Sequence, residues 1–68
     1  MDLLKQAQAR SRAFPGLRIG QALFDLACDR FPWALQATGT EVDPFHDDAK
    51  IPTFLGWILE RDQWENPD

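Results

Sequence analysis

The helices of this 68-residue chain are organised around one polar segment, TGTEVDPFHDDAKIP at residues 38–52. The segment holds two prolines, four carboxylates and the single histidine of the chain. It lies between a first half that is apolar and leans basic and a last helix that contains two of the three tryptophans. Because proline, aspartate and glycine favour turns and helix caps, the segment is predicted to be a connection between helices.

On either side of this connection, apolar residues recur at spacings of three and four. This pattern predicts three main helices, at about residues 2–14, 18–30 and 51–64. Asp2 is the predicted N-cap of the first helix, and Pro52 fits the first turn of the third. The second helix has the widest apolar arc, which is typical of the central helix of a small domain.

Two shorter features are predicted within the connection. A short helix at residues 32–37 is expected to end at Gly39, since glycine commonly follows the last helical turn. A single helical turn is expected at residues 44–47, with Asp43 as its N-cap and Phe45 as the apolar side chain that fixes the connection to the core. No segment alternates like a strand, so the predicted fold is an all-α, compact bundle of three main helices with one or two short helices in the connection.

The length of the chain corresponds to one small domain, residues 1–68. A chain of this size buries only about 60% of the surface that its unfolded form exposes. Cys28 is the only cysteine, so no disulfide can form within the chain, and we expect its side chain to be a small buried apolar group. If the core is insufficient, an oligomer or a partner protein must supply further stability.

The net charge of −4 is unevenly distributed. Residues 1–34 carry five basic and three acidic groups, whereas residues 35–68 carry two basic and eight acidic groups. Nucleic-acid binding requires a basic surface that neutralises phosphates, so direct binding of nucleic acid is not expected. A helix-turn-helix interpretation also fails, because the would-be recognition helix at 32–37 carries no basic side chain.

Three groups of residues resemble a pattern found in short uncharacterised proteins of bacteriophages and prophages. They are Arg18-x-Gly20-Gln21-Ala22-x-Phe24-x-Leu26, Gly39-Thr40-x-x-Asp43-Pro44-Phe45-His46-Asp47-Asp48 and Ile51-Pro52-x-Phe54-Leu55. The resemblance covers most of residues 17–59. It implies a small phage-type accessory protein, and it supplies neither an activity nor catalytic residues.

The sequence also suggests where the protein resides. No apolar run approaches the ~20 residues of a membrane span. Residues 1–6 lack the basic-then-apolar pattern of a signal peptide. The expected location is therefore the cytoplasm, which would be the host cytoplasm for a phage-encoded protein.

The first candidate site is the acidic cluster of the connection. Asp43, His46 and Asp47 are the candidate ligands for a divalent cation, and Asp48 follows them directly. The spacing does not match an EF-hand loop, which needs alternating carboxylates and a central glycine. The alternative is that Asp43 caps the short turn, that Asp47 or Asp48 caps the last helix, and that His46 is solvated or bonds a carboxylate.

The second candidate site is a stripe on the last helix. Trp57, Arg61 and Trp64 fall at i, i+4 and i+7, and tryptophan and arginine are enriched at binding hot spots. A guanidinium between two indoles can also form a cation–π stack. The alternative is that the first helix covers the tryptophans as part of the core.

Three functions remain open at this point. The first is a small non-enzymatic protein-interaction module, a phage-type accessory protein that modulates a host protein, with a homo-oligomer as the other partner considered. The second is an acidic mimic of nucleic acid that inhibits a DNA-binding host protein through a surface including Glu41, Asp43, Asp47 and Asp48. The third is a divalent-metal-binding protein or metal-assisted hydrolase that uses Asp43, His46 and Asp47. We expect no enzymatic activity and no cofactor, because the chain lacks a nucleophile–base motif and a phosphate-binding loop.

Overall fold

The computed structural model describes the backbone of residues 2–65 and the side chains of residues 2–63. The fold is all-α, as predicted, and the described residues contain no strand. The three main helices begin and end within one residue of the predicted positions. They are α1 (Leu3–Ala13), α2 (Ile19–Arg30) and α3 (Ile51–Glu65). Within the described chain, no helix has both the length and the apolarity needed to cross a membrane.

Helix α1 begins where the sequence predicts it to begin. The Asp2 carboxylate accepts a hydrogen bond of 3.1 Å from the backbone N–H of Lys5, which satisfies one of the free N–H groups of the first turn. The helix ends at Phe14, whose backbone is extended. The Ser11 hydroxyl donates to the Leu17 carbonyl oxygen at 2.7 Å, which holds the turn that leads into α2.

Helix α2 is the central helix, as its wide apolar arc predicts. Ala22, Leu23 and Ala27 are fully buried, and Phe24 is almost so. The Phe24 ring stacks with the fully buried ring of Phe54 from α3, at a centroid distance of 5.8 Å and an interplanar angle of 30°. Burial of one such ring contributes about 1.5–3 kcal/mol to folding. The pair therefore fixes α3 to the centre of the bundle.

The connection between α2 and α3 contains two short 3₁₀ helices, Pro32–Ala37 and Asp48–Lys50. The first confirms the predicted short helix, although its hydrogen bonding is of the tighter 3₁₀ type. It ends before Gly39, whose φ of 77° lies in the left-handed region that glycine adopts most readily.

A single turn precedes the second 3₁₀ helix, at the predicted position 44–47. The N–H of Asp47 donates to the carbonyl oxygen of Pro44 at 3.1 Å, which closes this turn. The Phe45 ring meets Phe24 edge-on at 5.8 Å, with an interplanar angle of 87°. Phe45 thus packs against the core as predicted, but it is half-buried, and the neighbouring Pro44 is fully buried and also fixes the connection.

Candidate functional site

The carboxylate of Asp43 holds the two ends of the polar connection together. One oxygen accepts the backbone N–H of Gly39 at 2.8 Å, and the other accepts the N–H of Phe45 at 2.9 Å. Asp43 therefore caps the turn at 44–47, as the sequence predicts, and also fastens the glycine that ends the first 3₁₀ helix.

The two adjacent aspartates cap different elements. Asp47 accepts the N–H of Ala49 at 3.0 Å and caps the 3₁₀ turn that leads directly into α3. Asp48 accepts the N–H of Gly20 at 2.9 Å, in the first turn of α2. Arg18, the N-cap residue of α2, makes no capping hydrogen bond with its own side chain. The distant Asp48 thus supplies the cap that the local sequence of α2 lacks.

His46 lies at the surface beside this cluster. Its Nδ1 atom is 3.4 Å from the Nη2 atom of Arg18, and its ring meets Phe45 at a centroid distance of 4.8 Å. Within the described residues, no group of three or more histidine, cysteine, aspartate or glutamate side chains is arranged to hold a metal ion. The structure therefore does not bring Asp43, His46 and Asp47 together as a ligand set, and both aspartates accept hydrogen bonds from backbone N–H groups.

The carboxylates proposed for an acidic surface are not equivalent. Glu41, Asp47 and Asp48 are exposed, whereas Asp43 is half-buried. Asp43, Asp47 and Asp48 each bind a backbone N–H group of this chain, which fixes their orientation. The positions of these three carboxylates are thus explained by the fold itself.

The tryptophan stripe of α3 is part of a contact with the first 3₁₀ helix. The half-buried Trp57 ring stacks on Phe54 at 6.1 Å and meets the Trp33 ring at 5.7 Å. The Arg61 guanidinium lies 5.8 Å from the centre of the Trp33 ring and donates to the Gln36 Oε1 atom at 3.2 Å. The indole that Arg61 contacts is therefore Trp33, which the spacing of the α3 stripe alone did not indicate.

The side chain of Trp64 lies outside the described residues. A partner-binding role for Trp57, Arg61 and Trp64 stays a prediction. For the first two, the observed contacts give a structural role, which is to hold the first 3₁₀ helix against α3.

An open groove of about 660 Å³ lies between α1, the end of α2 and α3. Its walls are mainly apolar, and one of its leucines, Leu59, is 63% exposed. The backbones of α1 and α3 approach each other closely at few points, which leaves the groove open. The lining residues are Asp2, Leu3, Leu4, Arg30, Phe31, Leu55, Ile58, Leu59 and Asp62.

The apolar spacing of the helices did not indicate this groove. Leu55 and Ile58 do belong to the apolar stripe of α3, but only Ile58 is almost fully buried. The residue that could have indicated the groove is Leu59, because it lies on the flank of that stripe, where no other helix is predicted to cover it. A helix with an apolar stripe wider than its neighbours can cover leaves one edge exposed.

Cys28 lies half-buried on α2, against the core. Burial raises the pKa of its thiol, and the carboxylates of Asp25 and Asp43 raise that pKa further. A raised pKa makes the thiol less reactive at neutral pH. The side chain packs against the core as expected, but it is half-buried and not fully buried.

Comparison of the chain with models of protein families, with curated proteins and with solved structures found no match. The phage-type resemblance therefore remains an expectation.

Proposed function

We propose that this protein is a small non-enzymatic interaction module and that its contact surface is the groove between α1 and α3. The observation that carries the proposal is an open, mainly apolar groove of about 660 Å³ in a chain of only 68 residues. Exposed apolar surface rimmed by polar groups is typical of a binding site. The phage-type resemblance supports a partner from a bacterial host, which the protein would modulate.

The groove is preferred over the stripe of Trp57 and Arg61 because those two side chains already have partners in the fold. The Trp57 ring contacts two other aromatic rings, and Arg61 contacts Trp33 and Gln36. Leu59 has most of its surface in water, so its burial against another protein would be favourable.

The polar connection supports a non-enzymatic role. Asp43, Asp47 and Asp48 bind backbone N–H groups that would otherwise lack partners, and each cap contributes about 1 kcal/mol. A structural need therefore accounts for the carboxylates that first suggested chemistry.

The test uses two matched leucines. Leu59 lines the groove and is 63% exposed, whereas Leu35 lies outside it and is 60% exposed. The wild-type chain, Leu59→Gln and Leu35→Gln are immobilised, and proteins retained from a bacterial lysate are identified at low and high salt. We expect a protein that the wild type and Leu35→Gln retain and that Leu59→Gln loses. Equal retention by both variants rules out the groove, and retention only at low salt by all three favours the acidic mimic of nucleic acid.

A further inference from the structure

We propose that the groove takes a basic amphipathic helix of the partner protein, an inference that rests on the proposed function and names the chemistry of the partner. Three features of the groove carry it: the spacing of its apolar walls, the sign of the charges on its rim and the charge of the whole chain.

The wall formed by α3 has the spacing that a helix recognises. Leu55, Ile58 and Leu59 fall at i, i+3 and i+4, and Asp62 follows at i+7. These positions cover two helical turns, about 10 Å along the axis. Helices that bind in such grooves insert their own apolar residues at i, i+3 or i+4, and i+7. A ligand helix of two to three turns therefore matches the length of the wall.

The rim of the groove selects the charge of that helix. Asp2 stands at the start of α1 and Asp62 on α3, on opposite walls. Asp29 lines a shallow recess beside the groove, which also includes Leu3. Arg30 is the one basic residue among those that line the groove and the recess, and its guanidinium lies 5.5 Å from the centre of the Phe31 ring. The groove and the recess are thus lined by three carboxylates and one guanidinium, an excess of negative charge that favours lysine and arginine on the flanks of the bound helix.

The charge of the whole chain favours a basic partner over a second copy. Each copy carries −4, so two copies repel each other before their grooves meet. A basic helix is instead attracted to the −4 chain, which increases its rate of association. The partner is therefore expected to be a different protein, and pairing with a second copy is an outcome that the experiment can reveal.

The probes are designed 18-residue peptides with leucine at i, i+3, i+4 and i+7. One peptide carries lysine at the exposed positions, and a second carries glutamate there. A third is a scrambled lysine peptide of identical composition that has no apolar stripe. Calorimetry measures affinity, and the backbone amide spectrum of the protein locates the site. We expect the striped lysine peptide to perturb groove residues and to bind at least about tenfold more tightly than the other two, a difference of about 1.4 kcal/mol.

Variants of the protein separate apolar contact from charge. The substitution Leu59→Gln leaves the net charge unchanged and is expected to weaken the affinity for the striped lysine peptide about tenfold. Leu35→Gln is expected to change that affinity by no more than about twofold. Asp62→Asn is expected to weaken the binding of this peptide about two- to fivefold, the size typical of an ion pair at a protein surface. Glu60→Gln on the same helix is the control, because Glu60 does not line the groove.

Each other result overturns the inference. Equal affinity for the lysine and glutamate peptides contradicts the proposed charge of the partner helix. Tight binding of the scrambled peptide contradicts recognition of an apolar helical stripe. Sedimentation that shows a dimer broken by Leu59→Gln assigns the groove to a second copy. Failure of the striped lysine peptide to bind also overturns the inference. The proposed function still stands if the lysate partner depends on Leu59, and it fails as well if that partner does not.

Discussion

The carboxylate of Asp48 accepts a hydrogen bond of 2.9 Å from the backbone N–H of Gly20, 28 positions earlier in the chain. The bond joins the turn before α3 to the first turn of α2. It also places the carbonyl oxygen of Pro44 against the Cα atom of Gly20, where any side chain would overlap it. The packing of the turn before α3 against the start of α2 therefore depends on one long-range cap and on one residue without a side chain.

We expect Gly20→Ala to destabilise the protein. The added Cβ atom would overlap the Pro44 carbonyl oxygen and lie 2.8 Å from Asp48 Oδ1. Overpacking of this kind costs about 1–3 kcal/mol, which exceeds the gain of roughly 0.5–1 kcal/mol from placing alanine in a helix. Chemical denaturation measures the change in the free energy of unfolding.

Gly56→Ala is the matched control, because a Cβ atom at this position of α3 meets nothing within 4 Å. The control is expected to stabilise the protein by about 0.5–1 kcal/mol. If both substitutions shift stability in the same direction, the close approach at Gly20 is not what constrains that residue.

We expect Asp48→Ala to lower the free energy of unfolding by about 1–2 kcal/mol, because the first turn of α2 loses its side-chain cap. Asp48→Asn should cost less, since an amide oxygen can still accept the Gly20 N–H. Glu41→Gln removes an exposed carboxylate of the same connection and should change stability by less than about 0.5 kcal/mol. Equal effects of the alanine and asparagine variants would argue against the hydrogen bond.

The helices could be predicted from the sequence because their signals are local. Apolar spacing, the Asp2 cap and the prolines lie within a few residues of the boundaries that they set. The cap from Asp48 to Gly20 could not be predicted in this way. The sequence shows that a capping residue is present, but only the packing of α2 against the connection decides which helix it caps.

The groove was beyond sequence reasoning for a related reason. The apolar pattern shows that α3 has a face to bury, and Phe54 and Ile58 of that face are buried. It does not show how closely α1 covers that face, because the packing of two helices distant in sequence is not a local property. In the structure Leu59 is left 63% exposed at the edge of the groove.

The thiol of Cys28 should react slowly with iodoacetamide at pH 7–8. Burial and the carboxylates of Asp25 and Asp43 raise its pKa, so the folded chain holds the thiol proton to higher pH than the unfolded chain. The contribution of this pKa difference to the free energy of unfolding is fully present at neutral pH, and it is lost as the pH rises through the folded pKa. Alkylation rates are measured across pH in the folded chain and in urea.

Asp25→Asn should move the rate profile of Cys28 to lower pH, because it removes one of the charges that raise the pKa. Glu60→Gln removes a charge that is not among those causes and should leave the profile in place. A folded profile that coincides with the urea profile would show that the thiol is not held in the protonated form.

A substitution at Arg61 distinguishes the structural role of this side chain from a role in partner binding. Arg61→Met keeps the length of the side chain but removes the contact with the Trp33 ring and the hydrogen bond to Gln36. Because both contacts are at least partly exposed, we expect a loss of about 0.5–1 kcal/mol in the free energy of unfolding and a shift in the Trp33 indole resonance. Partner capture from lysate should persist, since Arg61 does not line the groove. If Arg61→Met and Trp57→Ala abolish capture while circular dichroism shows an intact helical fold, and Leu59→Gln does not, the binding surface is the stripe and not the groove.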